Sequence, residues 1–171
     1  KLVSLYQSYP DLGFIYSNID YKGSRNGSTN FQNPKIFPLG EWSKNSIRSG
    51  RNPVFLTGTL FKKDKNKSLI QDLLFFDWYM WLELGQKKVG FIVDSLGTHH
   101  YNKENETARS NPTHIDNYLS LCDVLFKIKK NKIFDELLIK SGLSKLTLNF
   151  LKLEFVKNYK SNDKTMFNYK N

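Results

Sequence analysis

Residues 75–96, FFDWYMWLELGQKKVGFIVDSL, set one aspartate, Asp77, among Phe75, Phe76, Trp78, Tyr79 and Trp81, and follow it with a short apolar run. Reading outward, residues 68–85 are helical by pattern. Leu69, Leu73, Phe76, Met80 and Leu84 recur at intervals of three or four, and Gly85 supplies a natural cap. Val89 to Val93 then reads as a strand. Upstream, Lys1 to Ser8 reads as the end of a helix, Pro10-Asp11 as a turn, and Leu12 to Ile19 as a strand, because Phe14, Ile15 and Tyr16 favour a pleated, half-buried surface. PVFLTGTLFKKD (53–64) reads as a further strand, in which Gly58 marks either a bulge or a close approach to the backbone. Strands alternating with helical patterns predict an α/β fold.

The connecting segments are more polar. Residues 20–53 are rich in Gly, Pro, Asn and Ser and read as a long loop with one short helix near 40–47. Loops of this length are usually functional. Residues 94–113 read as a polar loop that carries His99, His100 and Arg109, closed by Pro112-Thr113 before a helix from His114 to about Lys130. Leucines set among lysines from Ile133 to Phe155 fit one or two amphipathic helices broken near Gly142, with the last residues fraying.

Composition bounds what such a chain can do. With 171 residues, 39% apolar and 15% aromatic, it has enough material for one packed unit. The single cysteine, Cys122, makes no intrachain disulfide, and no His/Cys spacing of zinc-finger type is present, so a reducing compartment is expected. No apolar run approaches the roughly 18 to 20 residues of a membrane span. The 26 Lys+Arg against 16 Asp+Glu give a net charge of +10, and 11 of the basic against 5 of the acidic residues lie from Asp123 onward. That excess is lysine among Asn, Ile and Phe. It favours an anionic membrane surface over nucleic acid, whose specific contacts draw on arginine.

The segments YSNID (16–20), PVFLTGTLFKKD (53–64), DWYMWLELG (77–85) and KKVGFIVDSLGTHHYN (87–102) follow in an order that resembles the C-terminal, acceptor-side half of family 2 glycosyltransferases of the GT-A fold, over about residues 5 to 110. Taken alone, Asp77 reads as a residue that caps or solubilises an aromatic core helix. The resemblance implies instead the general base of an inverting transfer, taking the proton from an acceptor hydroxyl as it attacks a nucleotide-activated sugar. A hydrophobic ceiling of Phe75, Phe76 and Trp78 would hold and partly desolvate that carboxylate, raising its proton affinity. By the same resemblance Thr57, Gly58, Trp78 and Arg109 are expected to bind substrate, Arg109 by neutralising a diphosphate. His99 and His100, otherwise two adjacent surface histidines, are expected as supplementary ligands of a divalent metal, Mn²⁺ or Mg²⁺. Asp20 is expected to end a strand near the site. Two departures stand out: Phe76 occupies the position where the family usually has Glu, and the sequence has no Asp-x-Asp metal motif. The family carries that motif upstream of the matched part, so the chain is expected to be a fragment.

The expected architecture is therefore a partial GT-A mixed sheet from residues 12–19, 54–61 and 89–93, packed by the 68–85 helix. Residues 1–115 would form the transferase part and 116–171 a basic helical tail. A nucleotide-sugar donor and a glycan or lipid-linked acceptor are the expected partners, in surface polysaccharide or glycoconjugate synthesis. The expected location is the cytoplasm, with peripheral contact to the inner membrane face. The alternative is a carbohydrate- or membrane-surface-binding module without catalysis.

Overall fold

The computed structural model describes residues 1–23, 26–33, 35–62, 75–101 and 114–167, and of Tyr101, His114 and residues 155–167 the backbone alone. The chain is mixed α/β. Five strands, β1 (Leu12–Gly23), β2 (Gly27–Ser28), β3 (Ile36–Phe37), β4 (Thr59–Phe61) and β5 (Lys88–Tyr101), form one sheet. Among the described residues five helices accompany it: α1 (Leu2–Ser8), α2 (Glu41–Ser49), α3 (Phe76–Leu84), α4 (His114–Lys130) and α5 (Glu136–Phe167). No described helix is long and apolar enough to cross a membrane.

The centre is β1, buried continuously from Leu12 to Ile19. Burial on both faces is the mark of a strand flanked by parallel pairing, and β1 pairs in parallel with β5 along its whole length. Its other edge is shared by β4, antiparallel at Phe14–Tyr16, and β2, antiparallel at Asp20–Tyr21. Between Ser17 and Ile19 the register slips, because β5 carries extra residues at 93–94 and at 96. The buried side chain of Asn18 fills that irregularity. Its Nδ2 donates to Val93 O (2.7 Å) and Phe31 O (3.3 Å), and its Oδ1 accepts from Phe31 N (2.9 Å) and Thr29 Oγ1 (3.0 Å). Every hydrogen-bonding position of the amide is thus used.

One face of β1 presents Phe14 and Tyr16 to the helices. Phe14 meets the edge of Trp42 at 5.0 Å and the tilted ring of Trp81 at 4.9 Å, and Phe61 meets Trp81 edge-on at 5.3 Å. Helix α2 buries Trp42, Ser43, Ser46 and Ile47, one helical face, and ends at Gly50, whose φ of 61° permits the left-handed cap. Gly13 brings β1 against α3, where a side chain would overlap the Leu84 carbonyl. Leu125 and Ile128 of α4 and Ile139 and Leu146 of α5 join the same core, so residues on both sides of position 115 share it.

Several expected elements change length. The strand expected at 12–19 runs to Gly23, so Asp20 lies inside it rather than at its end. The strand expected at 89–93 continues to Tyr101, and residues 94–101, expected as loop, are strand. The reason is the partner: β1 pairs with β5 at Ser95 and from Gly97 to Tyr101, while Val93 to Leu96 remain exposed. In the segment expected as a strand from 54 to 61 only Thr59–Phe61 pairs. The long loop of 20–53 contains β2, β3 and α2. The first part of the expected 68–85 helix lies outside the described residues, as does the loop of 102–113.

The C-terminal helix is not broken at Gly142, nor does it fray from 161; α5 runs unbroken to Phe167. Gly142 instead marks where α5 crosses α2, since a Cβ there would lie 2.7 Å from Ile47 Cγ2 and 3.1 Å from the Ile47 carbonyl oxygen. Gly142→Leu is expected to lower stability in urea titration by about 1–3 kcal/mol through overpacking, although leucine favours helix more than glycine does. An unchanged or raised midpoint would remove the crossing as a constraint.

Two buried tyrosines give the fold an alkaline limit. Burial pushes the Tyr16 hydroxyl, which accepts from Asn33 Nδ2, up to about 12. Burial, then its bond to Glu83, does the same for Tyr79, also to about 12. Both are raised above the ordinary ~10 of an unfolded tyrosine, so their contribution is complete below that pH and is lost as pH rises through the folded value. Urea midpoints are expected to fall between about pH 10 and 12. The decline should flatten in the double variant Tyr16→Phe, Tyr79→Phe.

Candidate functional site

Asp77 lies in the first turn of α3, half-buried. Its Oδ2 accepts from Asn52 Nδ2 at 3.0 Å, and Asn52 is fixed in turn because its Oδ1 accepts from Val54 N at 3.1 Å. A positioned and partly accessible carboxylate can accept a proton. Asn52 is a residue that the sequence does not single out, since an Asn between Arg and Pro reads as a turn.

Of the expected aromatic ceiling, Phe75 and Phe76 are half-buried and Trp78 is buried. Trp78 is 0% exposed and donates from Nε1 to Ser46 Oγ at 2.8 Å, and Ser46 Oγ donates to Arg51 O at 2.6 Å. Trp78 is thus a core residue that ties α3 to α2. Phe75, half-buried, packs on the edge of the same core.

Thr57 and Gly58 sit in the turn that precedes β4. Gly58 has φ +77° and approaches the sheet so closely that a Cβ would lie 2.9 Å from Ser17 Oγ and 3.0 Å from Ile19 Cγ2. Its carbonyl accepts from Ser17 N at 3.1 Å. What approaches Gly58 is therefore β1, and Gly58 is not a bulge inside a strand. Gly97 of β5 is small for the same reason, with Thr57 Cγ2 and Gly58 N both 3.1 Å from where its Cβ would stand.

His99 and His100 are consecutive strand residues, so their side chains take opposite faces of the sheet and do not converge. His99 is half-buried with its ring 5.7 Å from that of Phe55; His100 is exposed. Among the described residues no three His, Cys, Asp or Glu side chains are grouped to hold a metal ion. The described residues do not by themselves make the divalent-metal site that the resemblance implies. Arg109 lies outside the described residues. Leu137, Leu148, Leu151 and Leu153 of the leucine-lysine tail are exposed on α5.

Comparison with protein-family models, with curated proteins and with solved structures gave no match for this chain.

The Trp78–Ser46 bond gives a direct test of how α3 is oriented. Ser46→Ala leaves the buried indole N–H without its acceptor and is expected to cost about 1–3 kcal/mol in urea titration. In the Trp78→Phe background, which removes the indole donor, the cost of Ser46→Ala should fall to that of the lost bond to Arg51 O; equal costs in both backgrounds would contradict the pairing.

Proposed function

We propose that the chain carries the acceptor side of a glycosyltransferase, with Asp77 as the general base. The observation that carries this reading is a carboxylate in the first turn of α3, oriented by Asn52 and half-buried rather than lost in the core. The sheet supports it as well: the segments containing YSNID, GTLF and KKVGFIVDSLGTHHY form β1, β4 and β5, and both β4 and β5 pair with β1. The four segments of the resemblance therefore come from neighbouring elements around one helix. In this reading an acceptor hydroxyl donates its proton to Asp77 while its oxygen bonds to the anomeric carbon of the donor. The nucleoside diphosphate leaves with the electron pair of the broken bond.

The test has two parts. Titration calorimetry of the chain with UDP and UDP-sugars, with and without Mn²⁺, asks whether a donor site exists on these residues. Sugar transfer is then measured for wild type and Asp77→Asn. The variant is expected to keep its fold and its nucleotide-sugar affinity while losing transfer by about 10²- to 10⁴-fold, the usual contribution of a positioned base. Turnover equal to wild type would remove Asp77 from that role.

A further inference from the structure

A separate aromatic group lies on the opposite side of residues 51–58 from the core. Tyr21 of β1 and His99 of β5 are register partners, and Phe55 packs on both, with ring centroids 5.7 Å from Tyr21 and 5.7 Å from His99. All three are half-buried, unlike Phe14, Tyr16, Trp42, Trp78 and Trp81, which the core covers. Part of each ring therefore meets solvent. We infer that Tyr21, Phe55 and His99 form a shelf for one neutral sugar ring of a glycan, beside the carboxylate site rather than in it.

Two features select a sugar. Tyr and His combine an apolar face with a polar tip, and a pyranose has the same division between its C–H face and its hydroxyl rim. The neighbouring basic side chains of these strands, Lys22 and His100, are next to Tyr21 and His99 in sequence and so point to the other face of the sheet, which disfavours a phosphate.

The shelf is also held in place before any ligand arrives. Phe55 lies between two fixed points: Asn52, held by Asp77, and Gly58, held by Ser17 of β1. Pre-organisation of this kind spares the ordering cost of binding. Asn52 and Phe55 are three residues apart, at most about 11 Å even if fully extended. A glycan of several units with one ring on the shelf can thus bring its reacting end toward Asp77. Naming that glycan the acceptor rests on the transferase reading; the stacking itself does not.

The test uses the whole chain and protein-detected aromatic NMR, with maltose, cellobiose, lactose and diacetylchitobiose as probes and UMP as control. At least one disaccharide is expected to move the resonances of Tyr21, Phe55 and His99. Phe55→Ala should weaken that binding by about tenfold or more, the loss of one aromatic contact. Phe55→Leu keeps the apolar bulk without the flat face and should weaken it likewise, should the alanine variant not fold. The inference is overturned if no disaccharide perturbs these residues, if only UMP does, or if the Phe55 variants bind as tightly as wild type. Loss of transfer in Asp77→Asn with undiminished binding in the Phe55 variants keeps the base and removes the shelf. The reverse pattern keeps the shelf as a carbohydrate site without catalysis.

Discussion

The parallel pairing of β1 with β5 is the constraint from which the other elements follow. A strand buried from Leu12 to Ile19 needs cover on both faces, and a parallel neighbour needs a long connection that returns to the same end of the sheet. That connection is the whole stretch from β2 to α3, which supplies the cover. The pairing also contains an irregularity, since β5 carries more residues than β1 across its middle, and Asn18 fills it with hydrogen bonds to both β5 and residues 29–31. An apolar residue at 18 would leave the Val93 carbonyl and the Phe31 backbone without those partners. The buried amide in the middle of β1 is thus a requirement of the register.

From this strand the two faces diverge. The Phe14 and Tyr16 face builds a core of large aromatic rings with α2, α3, α4 and α5, and the Ser17, Ile19 and Tyr21 face is crossed by residues 55–58. Helix α3 belongs to the first side, burying Trp78, Tyr79, Trp81 and Leu82, and keeps Asp77 half-buried in its first turn. Segment 51–58 then links the two sides: Asn52 binds the carboxylate, Phe55 lies on Tyr21 and His99, and Gly58 rests on β1. A change in the rotation of α3 would therefore be felt at the aromatic shelf, through one short segment with both ends tied.

Local signals were legible in the sequence and remote ones were not. The starts of β1 and α4 and the short helix near 41–49 are visible because burial periodicity and turn residues act within a few positions. The full length of β5 is invisible because the partner that satisfies its backbone, β1, lies far away in the chain. Gly142 reads as a break by composition, whereas tertiary packing against Ile47 explains it. At the candidate site the sequence singles out Asp77 and Trp78, but the burial of Trp78 against Ser46 depends on a partner 32 positions away. Asn52, which orients Asp77 across 25 positions, gives no local sign at all.

The placement of His99 shows why chemistry and geometry have to be read together. Two neighbouring histidines suggest a shared ligand, and on a loop they could converge. On a strand they cannot, because the pleat sends them to opposite faces. The strand that separates His99 from His100 also sets His99 beside Tyr21, where β1 supplies the matching position, and Phe55 completes the group. Through sheet register, one of two adjacent histidines becomes part of an aromatic group. The carboxylate and that surface are then held by the same eight-residue segment, Arg51 to Gly58, which makes proton acceptance and ring stacking properties of one local structure.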